Sequence, residues 1–388
     1  MSLHAQFSTE RFLKKLDHLD TGTIHLILPN GKEYDFGGRD AGPEATLTLH
    51  DWRVLPRMLV KGDIGFAADY RDGKWETDNL QALLEIGLLN QRSLEQLIMG
   101  KMLTRLASRF TYLFRKNSLQ GSRENIQAHY DLGNDFYALW LDESMTYSSA
   151  LYATPEDHLR LAQSQKYNRI IDRLNGESGH LLEIGCGWGG FAEEAAGRGD
   201  FAIKGITLSD EQKAYAEKRL GTKAHIALED YRHQQGTFDH IVSIEMFEAV
   251  GETYWPVYFG QVGRLLKRGG KAVIQTITIA EEYFENYRRS GDFIRHFIFP
   301  GGMLPSVERF DREAERSGLK AHEHYFFGND YARTLETWRT NFMGKAEQVK
   351  AMGFDEPFIR MWEFYLAACA AGFKTGRINV MQVGLQHD

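Results

Sequence analysis

Cysteine is scarce in this sequence, and no long apolar run occurs in it. The two cysteines, Cys186 and Cys369, are too few for a disulfide framework or a tetrahedral zinc set. No apolar run approaches the roughly 20 residues of a membrane-spanning helix. The first residues also lack the apolar core of a secretory signal peptide. These absences predict a cytoplasmic protein that binds no metal.

The chain also lacks an excess of positive charge: its 46 basic residues are outnumbered by 53 acidic ones, which gives a net charge of -7. Such a chain has no global attraction to nucleic acid or anionic lipid, so we expect no nucleic-acid partner and only local contact with a charged surface. With 43% hydrophobic and 26% charged residues, the composition is that of an ordinary globular protein. A length of 388 residues predicts two domains.

The stretch His180–Gly190 (HLLEIGCGWGG) carries an apolar run into a cluster of glycines, and a predicted helix follows it at Phe191–Arg198. This order predicts a strand, a tight turn and a helix N-terminus. Glycine lets a nucleotide approach such a turn, because it has no Cβ. The spacing Gly185-x-Gly187-x-x-Gly190 also satisfies the dinucleotide fingerprint, and a turn used only for packing stays open.

Two details argue against a dinucleotide. The second predicted strand, Ala202–Ile206, ends in Thr207 and not in the acid that such a site requires, and Asp210 already lies in the next helix. The pattern E-x-G-x-G-x-G, which runs from Glu183 to Gly189, resembles the signature of class I S-adenosylmethionine (SAM) methyltransferases.

Strands and helices alternate from residue 125 onward. This order predicts an α/β fold with a doubly wound, mostly parallel, Rossmann-like methyltransferase sheet, whose ligands bind at the carboxyl ends of the strands. The predicted strands are His180–Ile184, Ala202–Ile206, Ala224–Leu228, His240–Ile244, Lys271–Ile277 and Ala321–Phe327. The predicted helices between them are Leu159–Leu174, Asp210–Leu220, Trp255–Leu266 and Val307–Ser317.

Residues 1–95 predict a smaller α+β N-terminal domain, with a hairpin formed by Thr23–Leu28 and Glu33–Phe36. Residues 96–123 contain no acid and predict a basic amphipathic linker helix; its cations are Lys101, Arg105, Arg109, Arg115, Lys116 and Arg123. We expect this helix to lie on an anionic membrane surface, with an interdomain helix as the alternative. The catalytic domain is predicted at 124–388.

Polar residues after the second and third strands predict the ribose and adenine end of a cofactor site. They are Thr207, Leu208 and Gln212, and then Glu229, Asp230 and Tyr231. After the fourth strand come Glu245 and Glu248, two acids that would share a helical face. Burying an acid costs several kcal/mol unless it is paired or protonated, which favours a functional role over a capping role.

At this point the sequence resembles the cyclopropane-fatty-acyl-phospholipid synthase family over nearly its whole length. The matching motifs are HYDLGNDFYALWLDESMTYSSALY (His129–Tyr152), LLEIGCGWGGFA, GITLSDEQ, SIEMFEAVG, IFPGGMLPS (Ile298–Ser306), GNDYARTLETWRTNF (Gly328–Phe342) and YLAACAAGFKTG (Tyr365–Gly376). The resemblance implies transfer of the SAM methyl to a cis double bond of a phospholipid acyl chain, followed by proton loss from a carbocation and ring closure. It also implies a substrate in the bilayer, peripheral association with the inner face of the membrane, and a homodimer.

In that family a bicarbonate ion serves as the base. The resemblance places around it Glu248, Tyr331 and the backbone of Ile277. Two positions depart: Ser149 stands where many members have cysteine, and Gln275 where they have histidine. Plant cyclopropane synthases resemble this variant, and both side chains can still hydrogen-bond an oxyanion.

The remaining residues that the resemblance implies contact the cofactor or the acyl chain. The cofactor set is Tyr147, Ser148, Glu183, Gly185, Gly187, Gly189, Thr207, Leu208, Gln212, Asp230 and Tyr231. Cys369 matches a cysteine once regarded as catalytic, and we expect it to line the pocket because methylating an alkene needs no covalent enzyme intermediate. Phe293, Phe297 and Phe299 predict an acyl channel or, equally, core. A related fatty-acyl methylase, which gives a methylene or methyl-branched chain, is the alternative function.

Overall fold

The structure is a computed structural model that describes residues 13–14, 16–95, 132–174 and 176–388. The predicted linker helix at 96–123 lies outside the described residues. The strands are β1 Thr21–Ile27, β2 Glu33–Gly37, β3 Asp40–Leu49, β4 Trp75–Thr77, β5 Ser178–Ile184, β6 Asp200–Thr207, β7 Ala224–Leu228, β8 Phe238–Ile244, β9 Leu266–Ile279, β10 Leu319–Phe326 and β11 Ile378–His387.

The α-helices within these ranges are α1 Val54–Arg71, α2 Leu80–Leu89, α3 Gln91–Glu95, α4 Asn134–Ala138, α5 Leu159–Asp172, α6 Gly190–Arg198, α7 Asp210–Leu220, α8 Trp255–Leu265, α9 Glu281–Arg289, α10 Val307–Arg316, α11 Gly328–Gly344, α12 Ala346–Ala351 and α13 Glu356–Lys374. Short 3-10 turns occupy Tyr231–His233, Phe247–Ala249 and Glu252–Tyr254, and a π-helix occupies Ile294–Ile298. No described helix is both long and apolar enough to cross a membrane.

The chain folds into two compact units that do not follow the order of the sequence. The first unit takes in Met1–Phe114, Arg289–Ile298 and Trp338–Arg377, and the second takes in Arg115–Arg288, Phe299–Thr337 and Ile378–Asp388. The stretch 124–388, which the sequence predicts as one catalytic domain, is therefore divided between both units.

The first unit contains a four-stranded sheet in the order β2-β1-β3-β4. The predicted hairpin is confirmed, because β1 and β2 pair antiparallel from Thr23↔Gly37 to Ile27↔Glu33. Helix α13 packs against α1 and α2 in this unit. The Tyr70 hydroxyl donates to Glu363 Oε2 at 2.7 Å, and the Arg360 Nε donates to the Tyr70 carbonyl at 2.6 Å. These hydrogen bonds join α1 to α13, a helix that lies far later in the sequence.

The second unit contains a seven-stranded sheet in the order β10-β11-β9-β8-β5-β6-β7. Strands β5 to β9 pair parallel, as predicted. The sequence analysis missed β11, which pairs antiparallel with both β9 and β10 and makes the sheet mixed at that edge. Both faces of the sheet are buried. Neighbouring strand residues such as Leu181 and Leu182 point to opposite faces and belong to different core clusters.

The order of the strands sets the place of the site. The chain runs from β5 outward through β6 to β7, and then returns to β8 on the other side of β5. The connections that leave the carboxyl ends of β5 and β8 therefore run in opposite directions, to β6 and to β9, and ligands of open α/β sheets bind at such a switch point.

Candidate active site

A cleft lies at the carboxyl ends of β5, β6, β7 and β8 in the second unit. Of the residues that the resemblance assigns to the cofactor, it is lined by Tyr147, Ser148, Glu183, Gly185, Gly187, Thr207, Leu208, Gln212, Asp230 and Tyr231. Gly189 precedes α6 with φ 83° and forms the end of the turn. The structure therefore brings these residues together around one cleft.

The glycine turn brings the backbone to the edge of this cleft. Gly185 has φ 83° and Gly187 has φ 52°, in the left-handed region that other residues rarely adopt. A Cβ on Gly185 would lie 2.9 Å from the Met246 Cγ, whereas a Cβ on Gly187 would meet no described heavy atom within 4 Å. The backbone at Gly187 therefore borders open space, and α6 begins three residues later with its N-terminal amides.

Glu183 is 3% exposed and lines the cleft. Its Oε2 is buried and has no hydrogen-bond partner among the described residues. Burial raises the pKa of Glu183 well above its ordinary value, and the charge of Lys166 opposes this shift. A buried acceptor that no protein donor satisfies costs free energy, so this oxygen suits a ligand that brings a donor.

At the end of β6 the polar side chains hold one another. The Thr207 hydroxyl donates to Gln212 Oε1 at 2.8 Å. The Ser209 hydroxyl caps α7, since it accepts a hydrogen bond from the backbone N–H of Gln212 at 3.3 Å. These contacts fix the position of Gln212 beside the cleft.

At the end of β7 Asp230 forms a pair that the sequence analysis missed. Asp230 Oδ2 accepts from Arg232 Nη2 at 2.6 Å, and both residues line the cleft. Burial opposes ionisation, but the hydrogen bonds from Arg232 hold the pKa of Asp230 below its ordinary value. Asp230 is therefore an ionised acceptor, and the Tyr231 ring beside it supplies an aromatic face.

These features fit SAM. The glycine backbone faces open space, Glu183 offers an unsatisfied acceptor, and the ends of β6 and β7 carry polar side chains and an aromatic ring. Glu183, Gly187, Gln212, Asp230 and Tyr231 are the residues that would hold it. No group of three or more metal-ligating side chains occurs among the residues that the structure describes.

Beside the cofactor cleft, Glu245 collects donors from three separate elements. Its Oε1 accepts from the Ser149 backbone N–H at 2.9 Å and from Gln275 Nε2 at 2.7 Å. Its Oε2 accepts from the Tyr331 hydroxyl at 2.5 Å. In the sequence, Glu245 is distinguished only as one of two spaced acids. Its central position follows from β8 and β9, which set Ile244 opposite Gln275.

The missed strand β11 orients Gln275. Gln382 lies opposite Gln275 in the β9–β11 ladder, and its Nε2 donates to Gln275 Oε1 at 3.0 Å. The Gln275 amide is thereby turned so that its N–H₂ group faces Glu245. An amide needs such a partner to specify which end donates.

Glu248 is held by the backbone of β9. Its Oε1 accepts from the Ile277 N–H at 2.5 Å and from the Thr276 hydroxyl at 2.9 Å. Its Oε2 is buried without a hydrogen-bond partner among the described residues. Burial and the charge of Glu245 raise the pKa of Glu248 to about 8. The charge of Glu245 therefore favours the protonated form of Glu248, because neighbouring like charges disfavour joint ionisation.

Lys166 carries a fully buried amine that was not predicted from the sequence. It lies on the buried face of α5 and donates from Nζ to the Ser148 hydroxyl at 2.6 Å. Burial lowers the pKa of Lys166 to about 7, while Glu245, Asp142 and Glu183 oppose the shift. The available signal was a pair of polar residues, Gln163 and Lys166, at buried positions of an amphipathic helix.

Ser149 and Cys369 are two further residues that the resemblance brings to attention. The Ser149 hydroxyl donates to the Ala150 carbonyl at 2.9 Å, so only the backbone of Ser149 reaches Glu245. Cys369 lies on α13 in the first unit, and burial and the nearby Asp292 raise the pKa of its thiol. That thiol therefore stays protonated and is not a nucleophile.

The three predicted acyl-channel phenylalanines do not share one unit. Phe293 and Phe297 belong to the first unit, and Phe299 belongs to the second. The Phe293 ring packs edge-on against Phe364 with centroids 4.9 Å apart, which gives it a core role.

Comparisons with known proteins identify a family for this chain. The family model of mycolic acid cyclopropane synthetase matches residues 117–383. The tuberculostearic acid methyltransferase UfaA1 of Mycobacterium tuberculosis is 37% identical over 360 residues, which cover 88% of this chain and 83% of that protein. The cyclopropane-fatty-acyl-phospholipid synthase of Escherichia coli K12 is 36% identical over 333 residues, 84% of each chain.

A solved structure shares the fold. The mycolic acid cyclopropane synthase CmaA1, complexed with SAH and CTAB, superposes with a TM-score of 0.64 at 30% identity, over 68% of this chain and 98% of that one. The cleft and the glycine turn described above lie within the matched residues. The chain therefore belongs to the mycolic acid cyclopropane synthetase family and is a SAM-dependent methyltransferase.

Proposed function

We propose that this enzyme transfers the SAM methyl carbon to a cis double bond of a phospholipid acyl chain and closes a cyclopropane ring. One observation carries the proposal: two carboxyl groups, Glu245 and Glu248, are held shortly after the end of β8, and Glu245 lines the cofactor cleft. An alkene that has accepted a methyl becomes a cation, and a held base must then remove a proton. The relatives named as cyclopropane synthases support this proposal.

Bound SAM supplies an electrophilic methyl group. The chain's own residues orient the cofactor and exclude water, which would otherwise trap the cation. Trp188, which lines the cleft, is 3% exposed, and its indole N–H donates to Asn134 Oδ1 at 2.6 Å. The carboxyl groups stabilise the positive charge on the acyl chain, because opposite charges attract strongly in a cavity that contains little water.

A second candidate function is a fatty-acyl methylase, which would give a methylene or methyl-branched chain. The relative with 37% identity is named a methyltransferase and not a cyclopropane synthase, which favours this candidate. The two reactions share the first cation. A methylene chain forms when a hydride first migrates from the methylated carbon to the cationic carbon and a methyl proton then leaves, and a methyl-branched alkene forms when a proton leaves a neighbouring chain carbon. The product therefore depends on where the base is held.

The same proposal includes a membrane-bound substrate. We place the enzyme in the cytoplasm, peripherally on the inner face of the membrane, and as a homodimer. The acid-free stretch 96–123 supports the membrane contact, because each cation near an anionic surface contributes about 1 kcal/mol of binding. Sedimentation with vesicles of anionic and neutral phospholipid, and analytical ultracentrifugation of the protein alone, test these two points.

The reaction is tested by incubating the enzyme with labelled SAM and vesicles of cis-monounsaturated phospholipid, followed by proton NMR of the acyl products. Upfield ring-proton signals support the cyclopropane synthase. Vinylic methylene signals move the enzyme to the methylase. Product mass does not decide, since the cyclopropane and methylene chains are isomers. Turnover of soluble acceptors but not of vesicles would overturn both.

A further inference from the structure

Glu245 fills the place that the family resemblance gives to a bicarbonate ion. The Tyr331 hydroxyl and the Gln275 amide, both assigned to that ion, donate to the Glu245 carboxylate at 2.5 and 2.7 Å. The Ser149 backbone N–H adds a third donor at 2.9 Å. A carboxylate and bicarbonate offer similar planar pairs of oxygen acceptors. A free bicarbonate on these donors would have to displace Glu245 while sitting beside its negative charge, which like-charge repulsion disfavours.

The backbone at Glu245 is in the left-handed conformation, which is unfavourable for a residue other than glycine. Glu245 has φ 50°, in the left-handed region that costs a non-glycine residue roughly 1–2 kcal/mol. Its N–H donates to the Gln275 carbonyl at 2.8 Å, which holds this turn directly after β8. Strained residues that their surroundings hold firmly cluster at active sites. Here the strain positions a carboxylate beside the cofactor cleft that Glu245 also lines.

The charges around Glu245 suit a base. Lys166 is the cation that acts on it, while Glu248, Glu183 and Asp142 are the acids of the same buried network. Burial raises the pKa of Glu245 above its ordinary value, and the Tyr331 hydrogen bond and the charge of Lys166 limit that rise. A carboxylate with a raised pKa is a stronger base than an exposed one.

We propose that Glu245 is the catalytic base of this enzyme and replaces bicarbonate. This inference rests on the proposed function. In the closing step a C–H bond of the transferred methyl breaks, and its electron pair forms the last C–C bond of the ring. The proton goes to a Glu245 carboxylate oxygen and is later released to solvent. Tyr331, Gln275 and Lys166 are positioning residues that act through Glu245.

The experiment measures product formation by the wild-type enzyme in buffer stripped of carbon dioxide, with and without millimolar sodium bicarbonate. The two rates agree within about two-fold if Glu245 is the base. A bicarbonate-dependent rise of about 10-fold or more overturns the inference, because general-base catalysis contributes at least 100-fold. A wild-type enzyme that forms no product on any cis-unsaturated phospholipid refutes the proposed function instead, so the two failures are distinguishable.

A variant makes the test independent of the wild-type result. Glu245→Gly removes the carboxylate, relieves the backbone strain at φ 50° and leaves space before the same three donors. Its rate falls about 100-fold or more, and acetate or bicarbonate restores about 10-fold. Loss without rescue, in a variant that still binds SAM as the wild type does, overturns the inference. If Glu245→Gly does not fold, Glu245→Gln replaces it, and a wild-type-like rate in that variant overturns the inference.

Glu323→Gly is the matched control. Glu323, on β10, also has a left-handed backbone, with φ 55°, but its side chain is 57% exposed and pairs with Arg173 at the end of α5 and with Lys271 on β9. The Glu323→Gly variant therefore removes a glutamate and relieves backbone strain, as Glu245→Gly does. Its rate stays within about three-fold of the wild type, and added acetate or bicarbonate changes nothing. Rescue of this control as well would show that the anions act nonspecifically and would overturn the inference.

Discussion

The Tyr331 hydroxyl donates a 2.5 Å hydrogen bond to Glu245 Oε2. Tyr331 lies on α11 and is 7% exposed, whereas Glu245 directly follows β8. A hydrogen bond to a charged group stabilises that charge by about 1.5–3 kcal/mol when it is buried. This bond therefore favours the ionised form of Glu245 and limits the rise of its pKa that burial causes.

Tyr331→Phe removes this donor and leaves the ring in place. Without it the pKa of Glu245 rises further, so the acid limb of the kcat profile moves to higher pH and kcat at neutral pH falls about 10-fold or more. SAM affinity is unchanged. Tyr325→Phe, at a position that is 37% exposed on β10, is the control and leaves the profile unaltered. An unshifted acid limb in Tyr331→Phe would contradict this role.

Glu248→Gln tests the second carboxyl group. Burial and the Glu245 charge raise the pKa of Glu248 to about 8, so the wild-type group ionises near that pH. Its negative charge then stabilises the cation, and the wild-type rate rises with pH through about 8. The variant lacks this rise and is slower at pH 9 by about 10-fold, with SAM affinity unchanged. A pH profile that matches the wild type would show that the Glu248 charge does not stabilise the cation. A loss of SAM binding would instead assign Glu248 to the cofactor site.

Lys166→Met tests the buried amine through stability. Burial lowers the pKa of Lys166 from 10.5 to about 7, so between these values the unfolded chain binds a proton that the folded chain lacks. The free energy of unfolding of the wild type therefore rises with pH relative to the variant, by up to about 1.4 kcal/mol per pH unit. Denaturant unfolding of both proteins between pH 7.5 and 9.5 measures this difference. A difference that stays constant would mean that the folded amine keeps its proton.

Gly187→Ala tests the glycine turn, and Gly31→Ala is its matched control. Both glycines have positive φ, 52° and 78°, and a Cβ on either would meet no described heavy atom within 4 Å. Each variant loses roughly 1–2 kcal/mol of stability from the left-handed backbone. Only Gly187→Ala weakens SAM binding, by about 10-fold or more, because its methyl enters the cleft. Equal SAM affinity in both variants would show that the cofactor does not approach Gly187.

The sequence predicts the parallel strands well, because each is an apolar run that a polar or glycine-rich turn ends. Helices α7 Asp210–Leu220 and α2 Leu80–Leu89 also show why ends can be predicted, since Ser209 and Asn79 cap them with side-chain hydrogen bonds. Strand β11 was missed because its partners, β9 and β10, lie far earlier in the chain, and no hairpin turn connects it to either of them. The return of α13 to the first unit is likewise invisible to local patterns.

The site was predicted as a set of residues but not as a set of contacts. The cofactor residues follow consecutive parallel strands, so their meeting at one edge is a consequence of the fold. The contacts of Glu245 depend on the register of β8 with β9 and on Gln382 of β11, neither of which the sequence specifies. The donors that the resemblance assigns to bicarbonate were therefore recognised from the sequence, whereas their contact with Glu245 was not.

One measurement tests the central claim that this chain closes a ring with its own carboxylate. The enzyme is incubated with methyl-deuterated SAM and cis-monounsaturated phospholipid vesicles in buffer stripped of carbon dioxide, and the lipid product is examined by deuterium NMR. We expect an upfield ring CD₂ signal, formed at the same rate when bicarbonate is restored. A vinylic CD₂ or a CD₃ signal, or a ring signal that appears only with bicarbonate, would contradict the account.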